Sequence, residues 1–220
     1  MNNRKPIFFT ADLHIGHTNS IAFDNRPFRD VEHMHQELVR RFNATVPENG
    51  TTYFLGDVIT HGSELAKSVI TQMNGTKVLI VGNHDKNYNS CYNAGFDVVM
   101  NGAVLYIHNE RVTLSHCPLR GLFREDTKDM KGSTPGELWH GELRHNRFSF
   151  ENEGQFHLHG HIHSPNGGKS TKISGRQFDV GVPANNFRPV HINEIESWIM
   201  KTLKAEQLYE KAHKSGLSEY

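Results

Sequence analysis

Five short clusters of metal-ligating residue types punctuate the chain in order: Asp12-Leu13-His14, Gly56-Asp57, Gly82-Asn83-His84-Asp85, Ser115-His116 and Gly160-His161-Ile162-His163. Mixed carboxylate, carboxamide and imidazole donors suit borderline divalent cations, whereas cysteine-rich sites favour softer ones. Cations held by such donors acidify bound water and offset charge on phosphoryl oxygens, which is the chemistry of ester hydrolysis.

Something must bring residues 12 and 163 together, and the sequence around each cluster says what. Each follows a β-like run: Ile7-Phe8-Phe9-Thr10, Thr52-Tyr53-Phe54-Leu55, Val78-Leu79-Ile80-Val81, Val112-Thr113-Leu114 and Phe156-His157-Leu158-His159. The donors therefore fall where strands end. Strand alternation predicts that Asp12 and His14 share one side, as do His161 and His163, with Leu13 and Ile162 turned to the interior.

Between the runs lie helix signals. Asp30 caps a stretch through about Phe42 on which Met34, Leu38 and Phe42 recur. A second stretch, Ser63 to Met73, carries Leu65, Val69 and Ile70 and stops at Asn74-Gly75. Residues 119–154 are charged and weakly periodic, an expected excursion over the active site. Strand-like runs resume at Phe178 and at Arg188-Pro189-Val190-His191-Ile192, and a closing helix repeats Ile195, Trp198, Ile199 and Leu203. Alternating strands and helices indicate an α/β fold.

The 220 residues, 36% of them hydrophobic, suit a single domain over residues 1–220. Lys plus Arg and Asp plus Glu stand at 24 each, so no global positive field draws the chain to nucleic acid. The two cysteines, Cys91 and Cys117, are too few for a secreted disulfide framework. The start Met1-Asn2-Asn3-Arg4-Lys5 lacks a signal-peptide core, and no apolar run approaches a membrane span. These features lead us to expect a cytoplasmic protein with no membrane partner.

The ordered set D-x-H, G-D, G-N-H-D, H and G-H-x-H over residues 7–192 resembles the calcineurin-like metallophosphoesterase superfamily. The opening Asp12-Leu13-His14-Ile15-Gly16-His17-Thr18-Asn19 and the later Arg26-Pro27-Phe28 are similar to small stand-alone bacterial and phage phosphoesterases. The resemblance implies two facing β-sheets flanked by helices, with the site at the strand ends. It implies one cation between Asp12, His14, Asp57 and His163 and another between Asp57, Asn83, His116 and His161. Asp57 would bridge the two, with manganese the first expectation and iron, zinc or nickel the alternatives. A bridging hydroxide would attack the phosphorus, and His84 would serve the departing alkoxide as the catalytic histidine.

One departure from the family matters. Protein serine/threonine phosphatases extend the second block as G-D-x-V-D-R-G, whereas here Gly56-Asp57 continues Val58-Ile59-Thr60-His61-Gly62. That argues against a protein phosphatase and leaves Asp85 or a backbone carbonyl to orient His84.

His17, Asn19 and Arg26 are candidate substrate contacts. Loop capping by Asn19 and simple solvation of Arg26 are the competing readings. His157 and His159 are expected behind the ligands or in the core, His33 and His35 on an exposed helix face, and Cys117 packed at a strand end. Trp139 and Phe148 would either wall a base pocket or anchor the excursion.

The substrate expected is a phosphomonoester of a nucleotide or another small phosphorylated metabolite. A phosphodiesterase for cyclic nucleotides or nucleic acid is the alternative, and an inactive interaction scaffold ranks third.

Overall fold

β-Branched and aromatic residues fill the strand runs, and in the computed structural model these pair into two sheets. The structure describes residues 5–85, 87–120, 148–164 and 175–216. Most of the expected excursion, Trp139 included, lies outside those residues.

The first sheet contains β1 (Ile7–Thr10), β2 (Thr51–Phe54), β3 (Thr76–Ile80), β4 (Val98–Met100) and β9 (Val190–His191), in the order β4-β3-β2-β1-β9. β1 to β4 run parallel and β9 antiparallel. The second sheet has the order β5-β6-β7-β8, from β5 (Ala103–Ile107), β6 (Glu110–Leu114), β7 (Phe156–His159) and β8 (Gln177–Asp179). Here β5 and β6 form an antiparallel pair, while β6, β7 and β8 run parallel.

The sheets face each other across a core of Phe9, Ala11, Leu55 and Ile80 from the first and Val112, Leu114, Phe156 and Leu158 from the second. The alternate residues Phe8, Phe54 and Leu79 point the other way, onto Met34, Leu38 and Phe42 of α2 (Val31–Thr45), which follows the short α1 (Asn19–Phe23), and onto Val69 and Ile70 of α3 (Ser63–Ile70). Burying each such side chain contributes about 1.5–3 kcal/mol. α2 starts where expected, with the Asp30 carboxylate accepting from His33 N at 2.7 Å. α3 stops at Ile70, earlier than the expected Met73, and Gly75 turns the chain into β3 with φ +76°. The closing helix, Ile192–Gly216, buries Ile195 and Ile199 and lays Trp198 edge-on to Phe156 and Phe178.

This is the expected α/β architecture of two facing sheets with helices outside. All five parallel strands that precede a donor cluster deliver it at their C-terminal ends, where open α/β sheets place ligands. An isolated bridge between Ala11 and Gly181 joins the strand ends of the two sheets at that rim.

Candidate metal centre

The predicted strand parity does not bring the donors together; left-handed backbone does. Five of the seven predicted ligands have positive φ: Asp12 (60°), His14 (51°), Asp57 (53°), His161 (71°) and His163 (47°). This conformation costs a non-glycine residue about 1–2 kcal/mol and recurs where function fixes the chain. Each strand has already ended, and the left-handed residues bring their side chains into contact with one another beyond the strand ends. Leu13 is buried as expected, but Ile162 is only half-buried.

The first donor group joins two ends of the sequence. His14 Nε2 lies 3.1 Å from His163 Nε2, and His163 Nε2 lies 3.5 Å from Asp12 Oδ1. In the second group, His116 Nε2 lies 2.9 Å from Asn83 Oδ1, 3.2 Å from His161 Nδ1 and 3.3 Å from Asp57 Oδ2. Asp57 Oδ2 also sits 3.8 Å from His14 Nε2, which makes this oxygen common to both groups. Ligands roughly 2.1 Å from one ion stand about 3.0–3.4 Å apart, so the spacing fits shared cations.

The donor chemistry agrees. His116 Nδ1 is 2.8 Å from the Leu55 carbonyl and His163 Nδ1 is 2.8 Å from Asp24 Oδ1, so each donates there and turns the Nε2 lone pair inward. Lone pairs and carboxylate oxygens then face one another, an arrangement that requires positive charge between them.

The proton affinities express the same demand. Burial opposes charge on His163, but Asp12 and Asp24 outweigh it and hold this imidazole up at about 10. Burial likewise opposes charge on His116, yet Asp57 and then Asp12 raise it to about 9. His14, chiefly through burial, falls to about 4. Asp12 and Asp57 stay below the ordinary carboxylate range despite burial, because His163 and His116 respectively lie against them. Protons and divalent cations compete for these atoms.

The neighbouring backbone is shaped to this packing. Gly56 has φ +86°, and a Cβ there would come within 2.5 Å of His116 Nδ1. A Cβ on Gly160 would come within 2.5 Å of Asp12 Oδ2, while the N–H of His161 reaches the same carboxylate at 3.0 Å.

The sequence profile described as calcineurin-like phosphoesterase matches residues 5–165. The chain belongs to that family. It is 31% identical to the gene 66 protein of Mycobacterium phage L5 over 188 residues, covering 80% of this chain and 86% of the phage protein. It is 40% identical over 88 residues to an uncharacterized protein of Methanocaldococcus jannaschii, covering 39% of this chain but only 49% of that protein. A protein of unknown function from Aquifex aeolicus, AQ665, shares the fold, with a TM-score of 0.60 at 21% identity over 88% of this chain and 99% of the other.

As a calcineurin-like phosphoesterase, the chain is a metal-dependent ester hydrolase, and its remaining site residues sort by position. His84 carries its ring beside the common oxygen, with Nε2 3.9 Å from Asp57 Oδ2 and the ring edge-on to His14. Its backbone N–H donates to Asp57 Oδ1 at 2.8 Å. Asp85 does not orient it. That buried carboxylate instead accepts from the N–H groups of Asp57, Val58 and Ile59 at 2.9 Å and of Gly82 at 2.8 Å. Thr60, in the place of the protein phosphatases' second acid, sets its hydroxyl 3.4 Å from His14 Nδ1.

Among the predicted substrate contacts, His17 lies at the rim, its ring 5.6 Å from His14. Asn19 is exposed and makes no cap, since Thr18 precedes the five-residue helix Asn19–Phe23 without a side-chain bond. Arg26 is a correction: it neither clamps substrate nor lies solvated. It is 4% exposed, and its guanidinium bonds to Asp24 and to the carbonyls of Leu13 and Asp12.

His35 is a second correction, buried rather than exposed, with Nε2 accepting from Gly16 N at 2.9 Å. That contact braces the loop after the first donors. His157 and His159 are fully buried, as expected, and Phe148 packs on Val81 and Cys117 as an anchor. Cys117 Sγ comes within 4.8 Å of the ligating atoms of His116 and His161. Burial pushes its thiol well above the usual range, in keeping with a side chain packed at a strand end. Sequence reading overlooked Asp24 and Phe23, the latter an exposed ring 6.3 Å from His17.

Proposed function

We propose that this phosphoesterase hydrolyses phosphomonoesters of nucleotides or other small phosphorylated metabolites, using two divalent cations, manganese first. The observation that carries the reading is the position of Asp57 Oδ2, within 3.3 Å of His116, 3.8 Å of His14 and 3.9 Å of His84. Asp12, His14, Asp57 and His163 would hold one cation, and Asp57, Asn83, His116 and His161 the other. When bound, such ions acidify water and offset phosphoryl charge.

The chain's own residues do the rest. His84 Nε2 lies 3.9 Å from Asp57 Oδ2 and its half-exposed side chain opens onto solvent, so it would supply the proton that the alkoxide needs. His17 and His61, with ring centroids 6.0 Å apart, would meet the remaining phosphoryl oxygens. Phe23 offers an exposed aromatic face beside them, suited to stacking against a base.

Small substrates are favoured because Arg26 is already committed within the protein, and because the chain's charges balance. Two buried thiols that form no disulfide support a cytoplasmic setting.

The test is hydrolysis by manganese-loaded protein of p-nitrophenyl phosphate against bis-p-nitrophenyl phosphate, followed by a panel of nucleoside monophosphates and cyclic nucleotides. Preference for the monoester and for base-bearing substrates is expected. Strong preference for the diester would instead support the phosphodiesterase reading, and absence of any hydrolysis would support the scaffold.

A further inference from the structure

The Arg26 guanidinium is engaged within the protein, and the bonds it makes give the Asp24-Asn25-Arg26 turn a different task. Asp24 Oδ1 accepts from His163 Nδ1 at 2.8 Å. Its other oxygen accepts from Arg26 Nε at 2.9 Å and Nη2 at 2.8 Å. The two terminal nitrogens of the same guanidinium donate to the Leu13 and Asp12 carbonyls, each at 3.0 Å. One planar fork thus ties Asp24 to the backbone of the first donor cluster, which lies across the site from residue 163.

The pair is costly to keep. The Arg26 side chain has no exposure and Asp24 has 8%, so both charges are withdrawn from water, a penalty that an apolar pair would avoid. An expense of that kind is explained if the carboxylate serves another group, and the group it touches is a predicted cation ligand. His116, in the second donor group, leans on the neutral Leu55 carbonyl instead, and His14, beside His163 in the first, has only the Thr60 hydroxyl near its Nδ1, at 3.4 Å. Of these three imidazoles, His163 is the one backed by a charged acceptor.

We propose that Asp24, locked by Arg26, is a positioning residue for the cation held by Asp12, His14, Asp57 and His163. By receiving Nδ1–H, the carboxylate fixes the tautomer and rotation of His163, so that Nε2 presents its lone pair beside Asp12 and His14. It also makes that imidazole a stronger donor than a carbonyl partner would. Arg26 acts through Asp24 and touches neither substrate nor cation. The proposal rests on the two-cation reading of the site.

Manganese binding, followed by titration calorimetry with the metal alone, tests it in the wild type, Asp24→Asn, His163→Ala and the double variant. Asp24→Asn keeps the shape and loses the charge. It should weaken by about 10–100-fold the affinity phase that His163→Ala removes, and leave the other phase within about twofold. In the His163→Ala background, Asp24→Asn should add nothing further. Equal weakening of both phases, or full additivity in the double variant, would overturn the assignment and leave Asp24 a scaffold residue. If Asp24→Asn alone unfolds the chain by stranding Arg26, the pair Asp24→Asn, Arg26→Met removes both charges and carries the same expectation. A wild-type protein that takes up no manganese would sink the two-cation reading itself, a result distinct from normal uptake that Asp24→Asn leaves unchanged.

Discussion

The carboxylate of Asp85 receives the backbone N–H of Asp57 at 2.9 Å, so the residue that closes the third donor cluster holds the second in place. Three more N–H groups, from Val58, Ile59 and Gly82, converge on the same two oxygens. The left-handed turn that aims Asp57 is thereby anchored on a buried acceptor. Asp85→Ala strands four buried donors and should cost about 3–5 kcal/mol in urea unfolding. Asp85→Asn keeps one acceptor oxygen and should cost about 1–3 kcal/mol. A loss below about 1 kcal/mol for the alanine variant would mean that water replaces the carboxylate and that the anchor is dispensable.

His84 is attached to the site by its backbone, and its ring is half-exposed, whereas the predicted ligands are buried or partly so. Truncating the ring removes no donor from either group. His84→Ala should therefore lower kcat by about 10²–10⁴-fold, the usual worth of a positioned acid, with metal content unchanged. Metal analysis beside steady-state kinetics checks both halves. Parallel loss of metal and turnover would make His84 a ligand.

His157 lies in the second sheet, 2.8 Å from the Thr113 hydroxyl and 3.1 Å from the Cys117 carbonyl. Burial, and then the neighbouring His159, push its imidazole down to about 3. Unfolded, it titrates near 6.5, so below that pH the unfolded chain takes up a proton that the folded chain refuses. Stability should consequently be full above about pH 6.5 and decline as pH falls towards 3. One such proton contributes a slope of about 1.4 kcal/mol per pH unit. Replacing His157 with Asn should flatten the pH dependence of unfolding free energy between pH 6 and 4 by up to that amount. An unchanged slope would show that His157 is protonated in the fold.

What could be read from the sequence followed the range of the interactions involved. Runs such as Val78-Leu79-Ile80-Val81 and the Asp30-capped helix carry their own signals, and they formed as expected. The extra pieces Tyr88–Asn93, Val98–Met100 and Ala103–Ile107 are only three to six residues long, too short for periodicity to register. The second sheet was foreseen only through family resemblance, because no local pattern announces that Val112 will face Phe9.

At the site, the donor types were legible, and every predicted ligand lies in one of the two groups. The left-handed turns were not, since Asp12 and His163 have positive φ because of what surrounds them. Arg26 and His35 read as surface residues because their partners, the Asp12 carbonyl and the Gly16 N–H, lie 14 and 19 positions away. Composition carries no trace of such pairings.

The central claim is that two cations share the carboxylate of Asp57, and anomalous scattering from manganese-loaded crystals measures it most directly. The account predicts two peaks flanking Asp57, one against Asp12, His14 and His163 and the other against Asn83, His116 and His161. A single peak, or manganese bound away from these side chains, would contradict it.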